Sequence, residues 1–392
     1  MKFGKIVFRL AVLIHALGML FFTFYLMRLP WLAGDEKLLI WSTSLFQLVK
    51  REPPPPEDFA LVNTSYDLKL IDRIDANGFP IGQQVITDRE KLARLVEILA
   101  SGPKKPAYVI MDIHFADTSS DDHRLRKAFT RLPNTMVSAH LNDDDQFEAP
   151  VFTEVGTGLS DYVTASVFEG VYKYQLVFRD TMMLTPLKVH AALTNQPVKT
   201  WGPFVKIGDR WTLNHFILNF RLLQKDLVDD KADFNPVNLG ELLSLPDEEI
   251  RSFAAGKILV LGDFLENDMH QTLFEVTAGP VILLNAYLSI REGDTSIGLV
   301  FLLLLFGIHL FLSHRVFNRR DFLTGRGRLR WRKFEWALPT DGFLGYLSLL
   351  IMLSLITFFL YNIHLNVFFL ACVYYASARA MDVAYDRKWL VR

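Results

Sequence analysis

The chain has 392 residues, a formal net charge of −1, and 51% hydrophobic and 13% aromatic residues. Its mean hydropathy of +0.20 is high for a soluble protein, so we expect part of the chain to lie in lipid. The single cysteine, Cys372, excludes intrachain disulfides and cysteine-type zinc sites. A domain outside the membrane must therefore be held together by its hydrophobic core.

Four apolar stretches are candidates for membrane-spanning helices, because a bilayer core about 30 Å thick needs roughly 20 helical residues. They lie at 6–27, 296–313, 342–361 and 365–381. The first is longer than the apolar region of a cleavable signal, which favours a retained anchor over a signal peptide. The last is short, and an interfacial or re-entrant helix is the alternative to a full span.

Positive charges predict the orientation, because Lys and Arg near spans accumulate on the cytoplasmic side. The loop at 314–341 is strongly basic, and its candidate contacts with lipid or a partner are Arg319, Arg320, Arg326, Arg328, Arg330, Arg332 and Lys333. We predict that this loop is cytoplasmic, together with the tail at 382–392 and the residues that precede the first span within 1–29. Residues 30–295 are then predicted to lie outside the cytoplasm. Nucleic-acid binding is the alternative use of the basic loop, but topology and anionic lipid explain its charges more simply.

The first half of the outer segment alternates between strand and helix signals. An amphipathic helix and the proline spacer "REPPPPED" occupy 30–58, and "FALVNTS" at 59–65 has strand length. The helix in "TDREKLARLVEILASG" has Thr87 or Asp88 as its N-cap and Gly102 at its end. The strand "AYVIMDIHFAD", the helix "SSDDHRLRKAFTRL" and the strand "NTMVSAHL" follow. This alternation predicts an α/β domain at 59–295 with a mainly parallel sheet and flanking helices.

The second half of the outer segment is less regular. Residues 167–180 have an extended pattern, "LTPLKVHAALTN" predicts a helix, and "HFILNFRLL" at 215–223 predicts a strand. A helix pair in "NLGELLSLPDEEIRSFAAG" precedes a second buried strand, "KILVLGDF" at 257–264. The apolar helix at 279–294 is then expected to lead straight into the second span.

Two polar clusters follow the two buried strands. Asp112, His114, Asp117, Asp121, Asp122 and His123 follow the first, and Asp263, Glu266, Asp268 and His270 follow the second. Because the carboxyl ends of parallel strands meet at one edge, the loops should converge on a crevice able to hold a cation, a cationic ligand or a basic loop. We select Asp112, His114, Asp117, Asp263, Asp268 and His270 as ligand-binding candidates. The alternative is that Asp112 and Asp263 cap neighbouring helices or bind backbone amides.

Enzyme motifs are mostly missing. Asp-x-His at Asp112 opens one class of metal phosphoesterases, but no Gly-Asn-His follows it. The sequence has no G-x-S-x-G elbow, P-loop or G-x-G-x-x-G fingerprint. We therefore predict no catalytic residues and no cofactor, and leave open whether a metal binds. A periplasmic metal-dependent hydrolase is the weakest alternative.

The order of five segments resembles the type 2 CHASE domains, extracytoplasmic sensory modules of bacterial receptors. These segments are "FALVNTS", "VIMDIHF" with "DDHRLRKAF", "NLGELL", "GKILVLGDF" and "GPVILLNAYLSI". One apolar stretch precedes them and three follow, as in that family. The Asp-Gly-Arg turn common in the family is replaced by "VFRD" at 177–180. Family members usually continue into a kinase or cyclase, whereas this sequence stops at Arg392. We therefore expect a sensor without an output domain.

The resemblance implies a non-enzymatic bacterial inner-membrane protein with a periplasmic sensory or docking domain. It would relay a signal to another membrane or periplasmic protein, or assemble with it. A second copy of the chain, in a homo-oligomer, is one such partner. A structural subunit of a secretion or motility complex is the alternative. His15 and His309, within apolar stretches, are expected to form interhelix hydrogen bonds.

Overall fold

The computed structural model describes residues 2–29, 35–74, 79–142, 144–162, 170–171, 173–228, 233–294, 296–318 and 342–386. These residues divide into two compact units. The first contains residues 1–49, 201–217 and 294–392, and the second contains 50–200 and 218–293. The second unit holds the α/β fold, and the first holds the long apolar helices.

The described residues form α-helices throughout the chain, with one short 3-10 helix at Pro56–Asp58. In chain order the α-helices are α1 (Lys2–Met27), α2 (Glu36–Lys50), α3 (Arg89–Ser101), α4 (Asp122–Phe129), α5 (Thr185–Thr194), α6 (Lys225–Val228), α7 (Leu239–Leu242), α8 (Asp247–Ala254), α9 (Gly279–Glu292), α10 (Leu299–Asn318), α11 (Gly342–Tyr361) and α12 (Val367–Asp386).

The strands are mostly short. They are β1 (Phe59–Asn63), β2 (Leu68–Ile74), β3 (Pro80–Thr87), β4 (Tyr108–Asp112), β5 (Thr135–Leu141), β6 (Phe147–Glu148), β7 (Gly156–Leu159), β8 (Gly170–Val171), β9 (Lys173–Gln175), β10 (Val177–Phe178), β11 (Met182–Met183), β12 (Val198–Trp201), β13 (Phe204–Ile207), β14 (Arg210–Leu213), β15 (His215–Ile217), β16 (Val237–Asn238), β17 (Ile258–Gly262), β18 (Met269–Thr272) and β19 (Val276–Ala278).

The central sheet of the second unit has the order β16-β1-β17-β4-β5-β6, with β7 also paired to β5. All of these pairs are parallel except β5 with β6. The two strands of the polar clusters, β4 and β17, are neighbours, and Asp112 lies opposite Gly262. This confirms the predicted α/β class and mainly parallel sheet, and it brings the two strand ends together.

Both faces of this sheet are covered, which explains why its strands are continuously apolar rather than alternating. One face sends Val62, Met111 and Leu261 into a core with α3, α4, α7 and α8. The other sends Leu61, Ile110 and Val260 into a core with α5 and α9. Successive residues of a strand point to opposite faces, so each strand contributes to both cores.

The predicted start of α3 is confirmed at Asp88. Its carboxylate accepts hydrogen bonds from the backbone N–H groups of Glu90 and Lys91, at 3.0 and 3.3 Å. These groups have no partner within the helix, so the cap stabilises the first turn by about 1 kcal/mol. The cap also places Arg89 at the first helical position, where its side chain is buried.

The predicted strand at 215–223 is wrong beyond its first residues, because only His215–Ile217 is a strand. Further on, the side chain of Asn285 on α9 binds the backbone of Leu222. It accepts from the Leu222 N–H at 3.0 Å and donates to the Leu222 carbonyl at 2.8 Å. The apolar run at Leu222 is therefore buried without pairing in a sheet, because the Asn285 side chain provides the hydrogen bonds that the Leu222 backbone requires.

The expectation that the helix at 279–294 leads straight into the second apolar helix is wrong. This helix ends at Glu292, and Gly293 follows with φ of 71°, a left-handed conformation that glycine adopts without strain. The next helix, α10, begins only at Leu299.

Sequence analysis missed the hairpin of β2 and β3. These strands pair antiparallel from Leu68 with Thr87 to Arg73 with Gly82, with an irregularity after Arg73. Residues 75–78, between the two strands, lie outside the described residues. The hairpin is a separate two-stranded sheet beside the central one.

The first unit contains four helices long and apolar enough to cross a membrane, within the described part of the chain. They span Lys5–Met27, Leu299–Asn318, Gly342–Tyr361 and Val367–Tyr385. Helix α1 packs with α10, α11 with α12, and α10 with α12. The antiparallel hairpin of β13 and β14 belongs to the same unit, where Phe204 packs edge-on against Phe24 at 5.0 Å between ring centres.

Candidate functional site

A crevice of about 410 Å³ opens at the carboxyl edge of the central sheet. Ligands of open α/β sheets usually bind in such a position. The end of β4 supplies Asp112, His114 and Asp117, and the loop after β17 supplies Asp263 and Asp268. Strand β5 adds His140, and the β2–β3 hairpin forms a further wall.

Asp112 is only half satisfied by its neighbours. Its Oδ1 accepts a hydrogen bond from the Ser138 hydroxyl at 2.7 Å. Its Oδ2 is shielded from solvent and has no hydrogen-bond partner among the described residues. Burial, with the negative charge of Asp268, raises the pKa of Asp112 to about 7. This side chain is therefore able to change charge near neutral pH and to accept a further hydrogen bond.

Two imidazoles lie beside Asp112. The rings of His114 and His140 are edge-to-face, with 4.6 Å between their centres. Burial opposes the charged form of His140, but the hydrogen bond and charge of Asp161, 3.1 Å from Nδ1, raise its pKa overall. Burial and the nearby charge of His140 lower the pKa of His114. Of the two, His140 is therefore the one that favours the positive charge.

Asp263 is held within its own loop. Its Oδ1 accepts from the N–H groups of Leu265 and Glu266 at 3.0 and 2.9 Å. Its Oδ2 accepts from the backbone and the side chain of Asn267 at 2.9 and 3.0 Å, and the Ser65 hydroxyl also donates to Oδ1. Burial alone would raise its pKa, but these hydrogen bonds outweigh it and lower the pKa. Asp263 thus fits the alternative reading, a carboxylate that binds backbone amides.

Asp268 lies against the start of α9. Its backbone carbonyl accepts from the Gly279 N–H at 2.8 Å, and its Oδ1 lies 2.7 Å from Nε2 of His270. A Cβ at Gly279 would come within 2.0 Å of the Asp268 carboxylate, so only glycine allows this approach. Asp268 faces the crevice, whereas His270 supports it from β18 and does not line the crevice.

Arg89 is a residue that sequence analysis missed as part of the site. Its side chain is 1% exposed, forms an ion pair with Asp122 and donates to the backbone carbonyl of Asp117. Its guanidinium also lies 5.4 Å from the centre of the Phe115 ring. Arg89 therefore fixes the loop after β4 from helix α3. A fully buried arginine at the start of an amphipathic helix is not predictable from periodicity.

Only some residues of the predicted cluster after β4 therefore line the crevice. Asp112, His114 and Asp117 line it, whereas Asp122 pairs with Arg89 and Asp121 with Lys69 at 2.7 Å. The basic candidates at 319–333 lie outside the described residues. Ser138 and Asp161, which hold Asp112 and His140, were also missed, because a polar residue in or just after a strand carries no sequence signal of its partner.

A separate polar network crosses the apolar helices. His15 of α1 lies 2.8 Å from the Ser313 hydroxyl of α10 and 3.1 Å from the Ser377 hydroxyl of α12. His309 of α10 lies 3.0 Å from the Thr23 hydroxyl and 2.7 Å from the Tyr374 hydroxyl. Both histidines thus have the interhelix partners that were expected of them.

A doubly covered parallel sheet, in one chain with four helices of membrane-spanning length, defines a membrane protein with an α/β domain. The chain matches the family model of the CHASE2 domain over residues 15–310, and it belongs to that family. CHASE2 domains are extracytoplasmic sensory modules, as the sequence resemblance implied. Searches of the curated proteins and of the solved structures found no match.

Proposed function

We propose that this protein is a non-enzymatic sensor of the bacterial inner membrane, and that its CHASE2 domain binds a small ligand in the crevice at Asp112. One observation carries the proposal: Asp112 lines a 410 Å³ crevice, and its buried Oδ2 has no partner among the described residues. Leaving a buried polar atom unpaired costs about 1–3 kcal/mol, and a ligand that donates to it recovers this energy. Such a site favours binding.

The arrangement supports binding more than metal-dependent hydrolysis. Among the residues that the structure describes, no three His, Cys, Asp or Glu side chains converge to hold a metal ion. Asp263, which a metal site at these strand ends would use, has both oxygens engaged by its own loop. Asp112, His114 and His140 remain as groups that recognise a ligand by charge and hydrogen bonding.

The proposal includes an orientation. The basic loop at 314–341 lies in the cytoplasm with both termini, and 30–295 lies in the periplasm, because Lys and Arg accumulate inside. In this arrangement 296–313, 342–361 and 365–381 span the bilayer after the first helix. The loop cations Arg319 to Lys333 would contact anionic lipid, and the protein as a whole would relay its signal to a membrane or periplasmic partner, or to a second copy of the chain.

The test is a screen for thermal stabilisation of the full chain in lipid nanodiscs, against periplasmic small molecules sorted by charge. A sensor predicts that at least one class raises the melting temperature of the protein and that Asp112→Asn abolishes the shift. Glu266→Gln, which changes a carboxylate on the neighbouring loop but outside the crevice, is the matched control and should keep the shift. A structural subunit of an envelope complex instead predicts stoichiometric co-purification of other proteins and no Asp112-dependent shift, which would contradict the proposal.

A further inference from the structure

The crevice has an apolar wall beside its acidic floor. Strands β2 and β3 place Leu70 directly opposite Val85, and Leu68 lies two residues from Leu70 on the same face. Leu68 and Val85 line the crevice, and these three side chains are 48%, 56% and 55% exposed. We expect a bound ligand to cover the exposed apolar side chains of the β2–β3 hairpin that line the crevice.

The floor of the crevice offers acceptors and negative charge. Asp112 and Asp117 present carboxylates to it, and Asp268, which is paired with His270, and the engaged Asp263 also line it. The positive candidates among its lining residues are His114 and His140, and His140 is already paired with Asp161. An anionic ligand would be repelled by these carboxylates, whereas a cation neutralises them and can donate to Asp112 Oδ2, which has no partner among the described residues.

We propose that the crevice takes a small amphipathic amine, with its ammonium group against Asp112 and its hydrocarbon part along Leu68 and Val85. This inference rests on the proposed function and assigns the ligand class of the same site. An ammonium group supplies three donors, which matches a floor of acceptors. Its hydrocarbon part gains from the removal of exposed apolar surface from water. A bare metal ion has no hydrocarbon part, and a carboxylate has no ammonium donors.

Binding of such an amine should strengthen as the pH rises. The titratable groups around Asp112 are Asp161, Asp263, Asp268, His114, Asp117, His140, Tyr162 and Tyr174. Below about pH 7, Asp112 takes up a proton, and the raised pKa of His140 favours its positive form as the pH falls; both changes disfavour a cation. The alkylammonium group itself stays charged throughout, as a lysine does, with a pKa of about 10.

The test is isothermal titration calorimetry of the full chain in lipid nanodiscs, with hexylammonium chloride as the probe and empty nanodiscs as the blank. Methylammonium and hexanoate are the matched probes, since each keeps one half of the amphiphile. Hexylammonium should bind about tenfold more tightly than either, and more tightly at pH 8 than at pH 6. Asp112→Asn should weaken it about tenfold.

The apolar wall is tested by Leu68→Ser, which should weaken hexylammonium about fivefold and leave methylammonium unchanged. Leu245→Ser, at an exposed leucine outside the crevice, is the matched control and should change neither affinity. Hexylammonium binding that is absent, or that survives Asp112→Asn, overturns the amine assignment. Hexanoate binding that depends on Asp112 also overturns it, but this result would uphold the crevice as a sensor site.

Discussion

The ends of β4 and β17 have the same sequence pattern but different chemistry. Both are buried apolar strands that run into an aspartate, and they lie side by side in the sheet. Asp263 uses both oxygens to hold its own loop, whereas Asp112 has one oxygen bound to Ser138 and the other without a partner among the described residues. One carboxylate holds its own loop, and the other is the one that we propose binds a ligand.

The difference comes from what holds the following loop. The loop after β17 is held by the carboxylate of Asp263 itself. The loop after β4 is held by Arg89, which reaches it from another helix and binds Asp122 and the Asp117 carbonyl. The carboxylate of Asp112 is therefore not needed to hold the loop after β4. A strand followed by aspartate indicates a position at the sheet edge, and the neighbours decide its function.

The largest effect is expected from Arg89→Ala. It removes the buried partner of Asp122 and leaves the loop after β4 without its anchor. Breaking a buried ion pair from one side costs about 3–5 kcal/mol, so the free energy of unfolding should fall by this amount. Pulse proteolysis of the full chain in urea measures it. Arg126→Ala, at an arginine paired with Glu154 nearer the surface, is the control and should cost less than about 1 kcal/mol.

The next largest effect is expected from Asp263→Ala, which removes the acceptor for three backbone amides of its loop. The loop is exposed to water, which replaces part of the loss, so we expect about 2 kcal/mol of destabilisation. The same urea experiment measures it. Glu266→Ala, which keeps the backbone N–H that binds Asp263, should change little. Equal effects of the two substitutions would contradict a structural role for the Asp263 carboxylate.

Asp112→Asn should act in the opposite direction and depend on pH. The folded-state pKa of Asp112 is about 7, above the unfolded value near 4, so the folded form binds more protons in this range. Ionisation of wild-type Asp112 therefore destabilises the protein as the pH rises from about 4 to 7. The variant avoids this cost and should be more stable than wild type by on the order of 1–3 kcal/mol at pH 8, with little difference at pH 4.

Thermal unfolding at both pH values tests this sign. Asp263→Asn is the opposite case, because the lowered pKa of Asp263 gives stability that is present at neutral pH and is lost as the pH falls. It should therefore be less stable than wild type at pH 8. If Asp112→Asn also loses stability at pH 8, Asp112 is structural after all and the two strand ends do not differ.

The smallest effect is expected in the apolar helices, where the polar side chains resemble Asp263 in having partners. Ser313→Ala removes a hydroxyl 2.8 Å from His15 Nδ1. Interhelix hydrogen bonds in membranes contribute about 0.6 kcal/mol on average, and the loss should be of that order. Ser348→Ala is the control, because in the described part of the chain that hydroxyl donates to a carbonyl of its own helix, Leu344. Unfolding in mixed detergent micelles measures both.

Much of the fold was predictable, because local signals and burial agreed. Apolar runs of strand length predicted β1, β4, β5 and β17, and the cap at Asp88 predicted the start of α3. Their order implied a parallel sheet, and the sheet implied that the ends of β4 and β17 would meet. These features depend on residues close together in the sequence.

The site was predictable only in position. Asp112 and Asp263 look alike in sequence, and their difference arises from Arg89, Ser65 and Ser138, which are distant along the chain. The β2–β3 hairpin was missed because its exposed face carries Leu68, Leu70 and Val85, where an edge hairpin would normally be polar. Asn285, which replaces a strand partner for Leu222, gives no local signal either.

The most direct test of the account is a pH titration of the aspartate carboxyls, by infrared difference spectroscopy of the full chain labelled with ¹³C-aspartate. We predict a carboxyl that titrates near pH 7, is absent from Asp112→Asn and is retained in Asp263→Asn. A titration in which no carboxyl changes near pH 7, or in which the same carboxyl persists in Asp112→Asn, would contradict the claim that Asp112 is the free group of the crevice.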